Sequence, residues 1–164
     1  MDPVTASIVI DRPQAEVFDY LVDVANRPEY SDHYLADFHL TRADSVGVGA
    51  GARFRLTTRR NRFGWADVTI AEAERPRRIV EVGRGGKFNR VRLLTVYELS
   101  PAPGGTTRVE MTTETEPATL SDRLVEALGM RQWLRRQTAR AMRRLRSVLE
   151  EGAERGQRAT IAGV

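Results

Sequence analysis

Cysteine is absent from the 164-residue chain, so disulfides and thiolate metal ligands are excluded. Histidine is scarce: only His33 and His39 occur. A zinc site would need both together with carboxylates, so no metal is expected. Lysine occurs once, at Lys87, and the other basic residues are all arginine. GC-rich coding produces that bias as readily as phosphate binding does, so it carries little functional weight. No run of 18 apolar residues exists, which excludes a membrane-spanning helix. The opening MDPVTASIVI has no basic segment ahead of an apolar one; it is not read as a signal peptide, and a cytoplasmic protein is expected. The stretches GVGAG and GRGG lack the spacing of a GxGxxG or Walker loop that opens a helix. No cofactor is therefore expected. The arginines lack the interleaved aromatics of a base-stacking platform, so nucleic acid is not an expected partner.

The composition supports a packed core, with 41% apolar residues. The length suits one domain, read as residues 1–150, followed by a frayed tail over 151–164. Charge is uneven. Residues 117–164 hold ten arginines against five acids, and residues 1–116 hold sixteen basic against seventeen acidic side chains. The net charge of +4 thus comes from the C-terminal segment.

Hydrophobic spacing sets the order of elements. A strand over Thr5–Ile10 meets a helix that carries Val17, Phe18, Leu21, Val22 and Val24 on one stripe. Asp11 and Gln14 have the spacing of a capping box, and Pro13 suits the first turn. Asn26 and Pro28 mark the start of a second short helix. From Phe38 the period changes to two, and turn signals every 8–14 residues divide the next stretch into about six strands. Such short connections favour an antiparallel meander. After Pro117 the pattern is helical from Leu120 to about Leu149, with Gly129 as a kink. Leu120, Leu124, Ala127, Leu128, Leu134, Thr138, Ala141, Met142, Leu145 and Leu149 share one half of the wheel. Arg136, Arg140, Arg143 and Arg144 occupy the other. A seven-stranded sheet curls under its own twist, and its concave face is the one large apolar surface on which that helix can lie.

This order, with SIVIDRPQAEVFDYLVDVANRPEY near the start and YELSPAPGGTTRVEMTTE near the end, resembles the SRPBCC or START-like superfamily. The polyketide cyclase/dehydrase and lipid-transport branch is the most similar. Where members of the family often carry YPEW in the second helix, this chain has RPEY, with Tyr30 in place of the Trp. Tyr97, Leu99, Pro101, Gly104, Gly105 and Thr106 match a strand-and-hairpin pattern rather than catalytic groups. The resemblance implies an α+β helix-grip fold: a curved seven-stranded antiparallel sheet around a long C-terminal helix, with two short helices after the first strand. It also implies a cavity for a small hydrophobic ligand.

Strand parity nominates the lining. Phe54, Leu56 and Thr58 point inward on the third strand, Val68 and Ile70 on the fourth. Leu93, Thr95, Tyr97 and Leu99 point inward on the sixth, and Val109, Met111 and Thr113 on the seventh. The fifth strand is ambiguous between Val80 with Val82 and Ile79 with Glu81 and Gly83. Leu134 and Met142 face the sheet from the long helix. Inward apolar residues at period two are core in most sheets; some line a cavity if the helix cannot fill the curl.

Three functions follow. The first is a carrier of a polyketide, lipid or isoprenoid. The second is a cyclase or dehydratase in which His33, oriented by Asp32 or Glu81, and Tyr97 move protons. The third is a module that docks a partner or an acidic membrane surface through the Arg-rich face of the C-terminal helix, with Trp133, Arg136 and Arg140, because the wheel puts Trp133 among the arginines.

Overall fold

The computed structural model describes residues 3–58, 64–116, 129–152, 156, 158 and 159. Strand β1 (Val4–Ile10) leads into helix α1 (Gln14–Leu21), a 3-10 turn (Val24–Asn26) and the short helix α2 (Arg27–Ser31). Six strands follow: β2 (Leu35–Leu40), β3 (Gly51–Leu56), β4 (Trp65–Glu74), β5 (Arg78–Gly85), β6 (Val91–Pro101) and β7 (Thr107–Glu116). Helix α3 (Arg131–Glu151) comes after them. The sheet order is β1-β7-β6-β5-β4-β3-β2, and every pairing is antiparallel. Strands β2 to β7 form a meander, and β1 adds to the free edge of β7. The architecture is an α+β helix-grip.

Local signals and tertiary partners compete at the helix starts. The capping box does not form: Pro13 is the N-cap of α1, with no side-chain bond. The Gln14 amide instead donates to the carbonyls of Leu99 at 2.9 Å and Pro76 at 3.3 Å, tying α1 to the sheet. Asn26 likewise donates to the Tyr20 carbonyl at 3.0 Å instead of capping α2. The cap that does form is Asp23, whose carboxylate accepts from the Ala25 N–H at 3.1 Å.

Helix α3 buries Thr138, Ala141, Met142, Leu145 and Val148, and it packs on β1 and α2. Near its end, Glu150 accepts from the Asp11 N–H at 2.7 Å. The helix expected from Leu120 is described only from Arg131. Leu120, Leu124, Ala127 and Leu128 lie outside the described residues. Gly129, with φ +104°, turns the chain just before α3. Gly152, left-handed at φ +67°, ends it and donates its N–H to the Val148 carbonyl.

A frayed tail was expected over 151–164; past Gly152 three of its residues are described, and each makes a contact. Gly156 and Ala159 donate N–H groups to the carbonyls of Glu29 and Ala25, and Arg158 pairs with Asp23. The reversal at Gly152 brings these residues back over α2 and the 3-10 turn.

Strands β4 and β5 shift register between Ile70 and Glu72 and pass closely at Gly83. A Cβ added to Gly83 would sit 2.3 Å from the Asp67 carbonyl oxygen and 2.9 Å from a Val68 methyl. Glycine is thus required by the close approach of the neighbouring strand. Gly83→Ala is expected to lower the unfolding free energy by about 1–3 kcal/mol, the usual range for overpacking. Urea denaturation with an unchanged m-value would confirm this, and an unaltered midpoint would refute it.

Candidate functional site

Cross-strand register defines the concave face. Val68, Gly83, Leu93 and Thr115 form one row, and Ile70, Glu81, Thr95, Thr113 and Val4 the next. Ile79, Tyr97, Met111 and Ala6 form a third. Phe54 faces the same way through its pairing with Ala66, and Leu56 follows it two residues on. Register removes the ambiguity of the fifth strand: Ile79 and Glu81 share the inward rows, and Val80 and Val82 lie on the other face, where Val80 is buried and Val82 is 46% exposed. Thr58 lies beyond the end of β3, so strand parity does not govern it.

Burial divides this face into two regions. Phe54, Val68, Ile70, Tyr97 and Met111 are buried, as is Met142 of α3. Leu56, Thr58, Leu93, Thr95, Thr113 and Leu134 are only half-buried. Because Glu150 meets Asp11 at the far end of β1, the first turns of α3, with Leu134, lie toward the Val4–Thr113 end. The half-buried group gathers there. The Thr95 and Thr113 hydroxyls stand 3.3 Å apart across β6 and β7. Gly83, Gly85 and Ala66 on the neighbouring strands add little side-chain bulk.

A polar cluster forms the floor of the buried region, and sequence reasoning missed its main member. Arg27 of α2 makes an ion pair with Glu81 of β5, both side chains being almost wholly buried. The Arg27 guanidinium also lies over the Tyr97 ring, 5.4 Å from its centroid. Burial works against the Arg27 charge, but the Glu81 carboxylate, together with Tyr30 and Tyr97, more than offsets this and holds its pKa above the ordinary value. Burial also raises the pKa values of Tyr30, Tyr34 and Tyr97, against the opposing pull of Arg27. Tyr97 Oη, Arg27 Nε and Glu81 Oε2 are shut off from solvent and have no hydrogen-bond partner among the described residues. The one available signal was an acidic residue in phase with buried Ile79 on an inward row.

His33 was expected beside Asp32 or Glu81 as a general base; neither carboxylate bonds to it. Asp32 pairs with Arg144, and Glu81 pairs with Arg27. Arg144 also stands 3.3 Å from His33 Nδ1, and His33 Nε2 stands 3.3 Å from the Gln137 carbonyl. A guanidinium only donates, so Nδ1 accepts and Nε2 carries the proton. Both ring nitrogens are thus engaged in joining α2 to α3. Burial lowers the His33 pKa, and Arg140 and Arg144 lower it further against the Gln137 carbonyl and Asp32. His39 is on the surface side, with Nδ1 2.9 Å from the Asp37 carbonyl.

Trp133 departs from the wheel reading. It is half-buried and packs against the core, with its ring meeting Tyr34 nearly edge-on at 6.2 Å. Tyr34, just past α2, draws it away from the arginine face. Arg136 and Arg140 are exposed. Among the described residues no three His, Asp or Glu side chains converge to hold a metal ion. No described helix is long and apolar enough to cross a membrane. An open groove of about 810 Å³ is lined by Thr69, Val82 and Leu94 of the convex face and also by Gly83, Leu93 and Thr115 of the first concave row.

A curved sheet gripping a terminal helix, with a half-buried patch at one end of its concave face, defines a helix-grip protein of the SRPBCC superfamily. The chain belongs to the polyketide cyclase/dehydrase and lipid transport family, whose sequence profile matches residues 1–150. Solved structures agree on the fold. The protein TTHA0849 from Thermus thermophilus is 14% identical, with a TM-score of 0.71 over 92% of this chain and 99% of its own. The protein KanY is 18% identical, with a TM-score of 0.70 over 90% of this chain and 97% of its own. A truncated norcoclaurine synthase from Thalictrum flavum is 7% identical, with a TM-score of 0.69 over 92% of this chain and 94% of its own. No curated protein is detectably similar in sequence.

Two outcomes are expected. Glu81→Gln leaves the Arg27 charge buried without a counter-ion and is expected to remove about 3–5 kcal/mol of stability. The double variant Arg27→Met/Glu81→Leu is expected to recover most of that loss. Urea denaturation of both tests the pair, and equal losses in the two would refute its role. For His33, the folded pKa lies below the unfolded value of about 6.5, so the native state binds fewer protons than the unfolded chain. Its contribution is full above about pH 6.5 and is lost as the pH falls through the folded pKa. His33→Gln is expected to flatten the decline in stability between about pH 7 and pH 5. An identical decline in the variant would rule that out.

Proposed function

We propose that the protein binds a small hydrophobic or amphipathic ligand, of polyketide, lipid or isoprenoid type, between the concave sheet and the first turns of α3. The observation that carries this reading is the division of the inward face. Leu56, Leu93, Thr95, Thr113 and Leu134 keep exposed surface although they face the interior, while their neighbours along the same strands are buried. The leucines would bury ligand surface at about 25 cal/mol per Å². The Thr95 and Thr113 hydroxyls would orient its polar end. On this reading the protein works in the cytoplasm as one domain over residues 1–150.

The family description covers both cyclisation and lipid transport. Geometry favours carriage. Both His33 nitrogens are engaged, and the Tyr97 hydroxyl is sealed beneath the surface a ligand would touch. Neither group is placed to exchange a proton with a bound molecule.

Titration with anilinonaphthalene sulfonate, an amphipathic fluorescent probe, tests the reading. The wild type is expected to show one saturable site. Leu93→Trp, which fills the half-buried patch, is expected to weaken the probe about tenfold. That corresponds to roughly 55 Å² of lost apolar contact. Far-UV circular dichroism checks that the variant is folded. Equal binding by wild type and variant would sink the proposal. Conversion of an added poly-β-ketone to a cyclised product by the wild type would replace it with the cyclase reading.

A further inference from the structure

Between Arg131 and Leu149, α3 carries seven arginines and no acidic residue. Arg144 turns inward to Asp32 and His33. Arg135, Arg136, Arg140, Arg143 and Arg146 are exposed and make no ion pair among the described residues. Stepping 100° per residue, these five fall within one side of the helix, over about 16 Å of its length. Composition alone does not explain the array. On the sheet surface arginines sit beside carboxylates: Arg53 pairs with Asp67, Arg55 with Asp37, Arg75 with Asp19 and Arg92 with Glu116. Among the described residues the helix face has no such ion-paired neighbours.

We propose that this face of α3 docks the protein on an anionic lipid bilayer. The partner is chosen by what the face holds and what it lacks. Five guanidiniums that make no ion pair among the described residues, spread over one side of the helix, present their charge to a plane of phosphates and carboxylates. The row has no exposed aromatic for stacking bases, because Trp133 is turned onto Tyr34. It also lacks the central apolar anchor on which a protein interface depends. Contact is therefore electrostatic and superficial, with no inserted side chain. The inference stands whether or not the patch on the other side of α3 takes a ligand.

Co-sedimentation with phosphatidylcholine vesicles, with and without phosphatidylserine, tests it. The protein is expected to bind only the phosphatidylserine vesicles, and to release them as salt shortens the Debye length below its value of about 10 Å at 0.1 M. Each arginine near an anionic surface strengthens binding about fivefold. The triple variant Arg136→Gln/Arg140→Gln/Arg143→Gln is thus expected to bind roughly a hundredfold more weakly. Arg78→Gln/Arg108→Gln, on the opposite side of the sheet, should bind like the wild type. Binding to phosphatidylcholine alone, indifference to the triple change, or tighter binding to a DNA duplex than to the vesicles would each overturn the proposal.

Discussion

A guanidinium and a carboxylate meet where neither is hydrated, and the arrangement of the grip depends on that meeting. Helix α2 has five residues, too few to be stable alone. It persists because Arg27 reaches Glu81 on β5 and because all five of its residues are buried. Through α2, the pair fixes Tyr30 and Tyr34 against the sheet. Through Asp32 and His33, it fixes where α3 crosses, since Arg144 bonds to both. One interior ion pair thus sets the distance between sheet and helix at the closed end.

The open end follows from a different constraint. Where α3 begins, the concave face offers Gly83, Gly85 and Ala66 on β4 and β5, and threonines on β6 and β7. These residues shape the sheet without filling it. Gly83 is held by the close passage of β4, so side-chain volume cannot be added there without moving a strand. Among the described residues, Tyr97, Ile79, Met111 and Met142 are buried in one half of the grip, and Leu93, Thr95 and Thr113 are half-buried in the other.

Much of this was legible in sequence. Strand alternation in Phe54, Leu56, Val68 and Ile70 gave the correct inward face because these strands are covered on one side only. The stripe Thr138, Ala141, Met142 and Leu145 gave the helix its buried side for the same reason. What escaped depended on partners distant in sequence. The capping box failed because Gln14 finds the Leu99 carbonyl, and Trp133 left the arginine face because Tyr34 lies beneath it. Arg27 reads as a surface residue of a short polar helix; only its tertiary partner on β5 explains its burial. Residue spacing within one element carries no information about such a partner.

The pairing of β1 with β7 has a consequence for biosynthesis. Val4 and Thr113 are neighbours in the sheet although more than a hundred residues separate them. At about 5–20 residues per second, a ribosome holds the first strand without its mate for roughly 5–20 seconds. Ile8, Ile10, Val17 and Phe18 are made early and stay uncovered through that interval. Closure of so non-local a topology is slow in any setting. The nascent chain is therefore a natural client for chaperones that shield apolar segments during translation.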